Sequence, residues 1–197
     1  MPKIVDKEEV RNKIMDAAMS VYADVGYHAA TISGVAKAAG MGKGTLYLYF
    51  ESKEALTVSL ADRIFTGMEE AFMGEAHCDT LEAFGEKLKA TMDIPAERAG
   101  FVRVFFEVFG PSFASEEFVK SVAGFFDRLG AYYADQIKML QEAEEVSQNI
   151  DAAVAGRSLA AMVDGVILHR GLFAISVRRH RAMIKEAISM FADGLRA

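Results

Sequence analysis

Cysteine is all but missing: Cys78 stands alone in 197 residues, so no intrachain disulfide can form and a scaffold of stapled loops is excluded. The N-terminus lacks the basic-then-apolar layout of a signal peptide, and with the lone thiol this points to a reducing cytoplasm. Proline is scarce as well. Pro2, Pro95 and Pro111 leave long stretches with no helix breaker. Long apolar runs are absent: the longest segment free of Asp, Glu, Lys and Arg is Val25 to Ala36, far below the roughly 18 to 20 residues of a membrane span, so a soluble protein with no membrane partner is expected. There is no basic excess either. With 22 basic against 28 acidic side chains the net charge is -6, and any attraction for nucleic acid must be local. What the chain does have is apolar substance, 52% of its residues, enough for a packed core and too much for disorder.

Ala, Met, Leu, Glu and Lys fill the proline-free stretches, and the periodicity predicts an all-α chain of about nine helices. In the first helix Val10, Ile14, Ala17, Ala18, Val21 and Val25 form one stripe that Gly26 stops. Thr31 caps a short second helix through Ala38, Gly40 turns the chain, and a third short helix runs from about Gly42 to Tyr49. Two short helices around a glycine turn make a helix-turn-helix. Ser52 caps a fourth helix with Leu56, Leu60, Ile64, Met68 and Phe72 in a row until Gly74. Asp79 and Glu82 read as a capping box for a fifth, Pro95 opens a sixth ending at Gly110, and Ser115 opens a seventh reaching about Glu145. Asn149 or Ser147 starts an eighth to Phe173, and Val177 to Leu195 makes a ninth. Of fourteen Phe, only Phe50 lies in the first 54 residues, which carry seven basic and seven acidic side chains; the rest of the chain is greasy and bears the whole -6. The neutral N-terminal part is the candidate DNA reader, and the expected division is residues 1–51 and 52–197.

From Thr31 to Leu56 the chain reads TISGVAKAAGMGKGTLYLYFESKEAL. Thr31, Ala36, Ala39, Gly40, Gly44, Thr45, Tyr47, Tyr49, Phe50, Lys53, Glu54 and Leu56 fall at the offsets of the TetR-family signature, which this segment strongly resembles. The resemblance implies a transcriptional repressor that binds a palindromic double-stranded DNA operator as a homodimer, through a third helix in the major groove, and is released by a small hydrophobic or aromatic molecule. It implies no cofactor. The DNA-contacting set would be Thr31, Ser33, Lys43, Gly44, Thr45, Tyr47, Tyr49 and Lys53. Gly34 and Gly42 depart from the usual pattern and weaken local helix propensity by up to roughly 1 kcal/mol each.

The residues argue the same way physically. Between Thr31 and Lys53 lie Lys37, Lys43 and Lys53 against Glu51, a local surplus of two positive charges in an acidic chain. Leu46 and Phe50, four apart, pack inward while Lys43, Thr45 and Tyr47 face out. A cation at Lys53 opposes the dipole of the helix it begins, which suggests an anion there, a DNA phosphate by the resemblance. Two other readings compete. GMGKGT at Gly40 to Thr45 looks like the end of a nucleotide-kinase phosphate loop, but the earlier glycine is replaced by Lys37 and the preceding segment reads as helix, not strand. A helical interaction module that no longer binds DNA is the other.

His77, Cys78 and Asp79 are adjacent and diverge too much to enclose a metal, the remaining histidines are scattered, and no nucleophile constellation is visible, so neither a metal site nor an enzyme is expected. The sixth helix is apolar nearly all round. The resemblance would place an effector pocket at Phe65, Met68, Phe72, Met92, Phe101, Phe105, Phe109 and Phe125, where plain core packing is the alternative. Helix eight is dense in small residues, and helices eight and nine resemble the family's dimer-forming pair, with Ala161, Met162, Val166, His169, Ile184, Ile188 and Phe191 as interface candidates.

Overall fold

The structure is a computed structural model that describes residues 6–73, 77–173 and 175–196, with the side chains at 96–98, 101 and 104 outside that description. Nine α-helices and no strand occur among the described residues: α1 (Lys7–Val25), α2 (Ile32–Ala38), α3 (Lys43–Tyr47), α4 (Lys53–Met73), α5 (Leu81–Met92), α6 (Ala96–Phe109), α7 (Glu116–Glu142), α8 (Ala152–Leu172) and α9 (Val177–Arg196). A 3-10 turn over Gly110–Ala114 joins α6 to α7. Ile32 to Ala38 is helical, so the phosphate-loop reading lacks its strand. Gly74, the expected stop of α4, lies outside the described residues.

Two compact units are present, Met1–Thr66 with Val104–Ser121, and Gly67–Arg103 with Val122–Ala197. This grouping falls elsewhere than a division at residue 51, because Leu56, Leu60 and Phe65 on α4 are buried in the first unit. In that unit α1 begins at Asp6, whose Oδ1 accepts the Glu8 amide at 2.9 Å. The buried face of α1 is Ile14, Met15, Ala18 and Tyr22. It is rotated from the expected stripe, and Val25 is left 48% exposed. Tyr22 decides the rotation. Its ring meets Tyr27 edge-on at 5.5 Å, and its hydroxyl lies 3.2 Å from Thr57 Oγ1. Since Thr57 already donates its proton to the Lys53 carbonyl at 2.7 Å, Tyr22 is the donor to Thr57.

In the second unit close helix approach depends on missing side chains. A Cβ at Gly156 on α8 would stand 2.5 Å from the Ala134 amide and 2.6 Å from the Gly130 carbonyl on α7, and one at Gly171 would collide with Val102 on α6. His180 on α9 is buried, and its Nε2 donates to the Met92 carbonyl that ends α5, at 2.8 Å. Beside it Arg181 pairs with Asp93 at 3.0 Å. Gln141 holds the carbonyls of Ser147 and Ile150 at 2.9 and 3.0 Å, shaping the connection into α8.

Two expected caps are displaced. Thr80, not Asp79, caps α5 by accepting the Ala83 amide at 3.2 Å, because the next free amide, Leu81, is taken by Glu145. Asp151, not Asn149 or Ser147, caps α8 and accepts two amides at 3.0 and 3.1 Å. By length and composition α8 is apolar enough to cross a membrane, yet here it packs as a helix of the second unit, with 28% of its most apolar stretch buried.

Gly156→Ala should destabilise the protein by about 1 to 3 kcal/mol, since backbone rather than a movable side chain blocks the new methyl. Thermal unfolding should show Tm lower by roughly 2 to 4 °C for each kcal/mol. Burial pushes the Tyr22 hydroxyl up to about 12 from its ordinary 10. A folded-state value above the unfolded one gives stability that is complete below pH 10 and lost as pH rises toward 12. The loss amounts to about 2 to 3 kcal/mol, and alkaline unfolding of Tyr22→Phe should lack this part of the pH dependence.

Candidate nucleic-acid interface

The interface is built on α2 and α3. Thr31 Oγ1 accepts the Gly34 amide at 3.1 Å and fixes the start of α2. Its end is a reverse closure: the Met41 amide reaches the Ala36 carbonyl at 2.9 Å and the Gly40 amide the Lys37 carbonyl at 3.0 Å, with Gly40 at φ 69°. That positive φ is why glycine stands at the turn. Gly42 is the N-cap of α3 and contributes no side-chain bond, so α3 is one residue shorter at its start than expected and ends at Tyr47.

Leu46 and Phe50 are buried with Val35, Ala36 and Ala39, which seats α3 on α2. The opposite side is open. Thr31, Ser33, Lys43, Gly44 and Thr45 are exposed, Tyr47 is 44% exposed, and Tyr49 is half-buried. Lys43 Nζ lies 5.8 Å from the centre of the Tyr47 ring. Lys37 is exposed nearby. Leu48, which the signature does not single out, is 82% exposed.

Lys53 is placed otherwise than the sequence suggests. Its Nζ donates to the carbonyls of Tyr27 and Ala30 at 3.0 and 3.2 Å and sits 4.3 Å over the Tyr27 ring. The cation that opposes the α4 dipole thus has its negative partners within the protein. Ser52 caps α4 as expected, accepting the Ala55 amide at 3.0 Å. Arg11 was not legible at all: from α1 its Nη1 donates to the Tyr49 carbonyl at 3.0 Å while the guanidinium covers the Phe50 ring at 4.5 Å. An arginine spaced 38 residues from its acceptor leaves no local signal.

The candidate effector residues divide between the units. In the first, Phe65 and Phe109 are buried and Phe105 is half-buried, with Phe105 rings at 5.9 Å from Phe65 and 4.7 Å from Phe109. In the second, Met92 and Phe125 are buried and Met68 and Phe72 half-buried. Phe101 lies outside the described side chains. A groove of about 750 Å³ runs between α5 and α9, lined by Leu81, Lys89, Arg181, Ile184, Ile188 and others, and among the described residues no phenylalanine lines it.

Of the interface candidates, Val166 and Ile184 are buried inside the second unit, so they serve its own core and are not free for a partner. Ala161 and His169 are exposed, and Met162, Ile188 and Phe191 are half-buried. Val154 and Met190, 63% and 68% exposed, extend this surface and were missed, because periodicity does not say which of two apolar faces is inward.

Comparison with known proteins agrees with this architecture. Residues 14–60 match the model of the bacterial regulatory proteins of the tetR family, and residues 82–193 that of the C-terminal part of BetI-type transcriptional repressors. The fatty acid metabolism regulator protein of Bacillus subtilis is 50% identical over 48 residues, 24% of this chain and 25% of the relative. The HTH-type transcriptional regulator BetI of Vibrio parahaemolyticus is 24% identical over 188 residues, 93% and 92% of the two chains. The Bacillus subtilis regulator FadR, solved in complex with stearoyl-CoA, superposes with a TM-score of 0.65 at 21% identity, covering 93% of this chain and 98% of the other. With its helix-turn-helix and its BetI-type C-terminal part matched, the chain belongs to the TetR family of DNA-binding transcriptional regulators.

Proposed function

We propose that the protein is a cytoplasmic repressor that binds a palindromic operator as a homodimer and is released from it by a small hydrophobic molecule. Residues 1–51 read DNA and 52–197 dimerise and bind the effector. The observation that carries the DNA part is the open side of α2 and α3, where Lys37, Lys43, Thr45 and Tyr47 stand exposed on a neutral segment of an acidic chain. Thr31, Ser33, Gly44 and Tyr49 complete the contact set, and Lys53 acts by fixing the start of α4 against the carbonyls of Tyr27 and Ala30.

Support for the dimer comes from α8 and α9. Val154, Ser158, Ala161, Gly165 and Leu168 recur at three and four residue spacing on the side of α8 that its own unit leaves uncovered. Met190 and Phe191 give α9 a comparable surface. The effector reading is supported by composition and by half-buried Met68 and Phe72 in the second unit, side chains suited to an acyl chain of the kind carried by stearoyl-CoA in the FadR complex. An effector that the free dimer binds more tightly than the DNA-bound one lowers operator affinity by the same factor.

Lys43→Ala and Tyr47→Ala should each weaken operator binding about 10- to 100-fold in gel shifts while helicity and oligomeric state stay unchanged. Undiminished binding by both would overturn the role of α3. With Lys37 and Lys43 free and Lys53 engaged, two phosphate contacts per protomer and four per dimer give a slope of log affinity on log salt of about -4. A further substitution tests the assembly: Ala161→Arg, at an exposed position that should not disturb folding, is expected to give monomers by sedimentation and to cost at least about tenfold in operator affinity.

A further inference from the structure

We propose that Leu48 is a specificity-determining residue that reads a thymine methyl group in each half of the operator. The proposal rests on the DNA-binding reading of α3 and names what that surface recognises. Leu48 is 82% exposed, the most open of the large apolar side chains among the described residues of the first unit. Such exposure costs solvation and gains nothing within the chain. Its position as the C-cap of α3, with helical backbone angles of φ -70° and ψ -17°, explains what it meets. Successive helical residues turn by about 100°, so Gly44 and Leu48, each two residues from the buried Leu46, lie opposite that anchor. They form the centre of the outward side, with Thr45 and Tyr47 flanking them.

Nothing lies within 4 Å of the place where a Gly44 side chain would begin. The backbone can therefore come close to the floor of a groove at Gly44, and Leu48, one turn on, is the apolar group brought to the base edges. A leucine offers neither donor nor acceptor, so it gains nothing from phosphate, guanine, cytosine or adenine edges. The one apolar feature in the major groove is the C5-methyl of thymine. The flanking Lys43 and Tyr47 supply polar contacts to the backbone, leaving Leu48 to discriminate.

The test uses the full-length protein and an operator selected from a random duplex pool. Each thymine in a half-site is replaced by deoxyuridine, which removes one methyl and keeps every hydrogen-bonding group. For the wild type, replacing one thymine in each half-site removes two methyls and should lower affinity about 15-fold, about fourfold for each buried carbon group. For Leu48→Ala, whose helicity should be unchanged because the site is exposed, the same replacement should have no effect. Deoxyuridine replacement without effect at every position, or an equal effect on wild type and Leu48→Ala, overturns the proposal while leaving DNA binding intact. Failure to select any duplex would instead refute the DNA-binding reading beneath it.

Discussion

A recognition helix of five residues cannot hold its own shape. Isolated helices shorter than about 12 to 15 residues are marginal in water, because nucleation is not repaid by so few hydrogen bonds. What holds α3 is the burial of Leu46 and Phe50, with the Arg11 guanidinium covering Phe50 and donating to the Tyr49 carbonyl. That bond satisfies a carbonyl in the turn just beyond the helix end. The side chains offered to DNA inherit their order from these contacts.

The two cations with the clearest structural tasks, Arg11 and Lys53, both work on carbonyl oxygens. They fix the end of α3 and the start of α4, the two boundaries of the segment Leu48 to Ser52. The Lys53 ammonium has two carbonyls of its own chain as partners. In a chain of net charge -6, Lys37 and Lys43 stand exposed on the open side of α2 and α3.

The order of the helices was legible because its signals are local. Thr31 and Ser52 each stand alone as cap-competent residues before an apolar period, and Gly40 is the one residue able to take the turn's positive φ cheaply. Where several cap residues are adjacent, local reading fails. Asp79 and Thr80 compete at α5, and Ser147, Asn149 and Asp151 at α8; Glu145, 64 positions from Leu81, takes that amide in the first case, and Gln141 holds the Ser147 and Ile150 carbonyls in the second. The tasks of Arg11 and Lys53 were illegible for the same reason, since their acceptors lie 38 and 23 to 26 positions away. The sign of a charge can be read from sequence, and its partner cannot.

The apolar faces of α8 show the same limit from another side. A helix rich in Ala, Gly and Val has little contrast around its circumference, so its period marks no single inward direction. Gly156 settles the matter for α8: with Ala134 and Gly130 backbone pressed against it, that edge must face α7, and Val166 is buried in the unit's own core. The opposite edge, from Val154 through Ala161 to Leu168, is left with small side chains and no charged group to keep it wet, while Arg157 and His169 stand at its border. Small residues allow backbones to approach closely, and an uncharged stripe loses little on leaving water. Both properties that let α8 settle on α7 inside the protomer are therefore repeated on the edge that its protomer does not use.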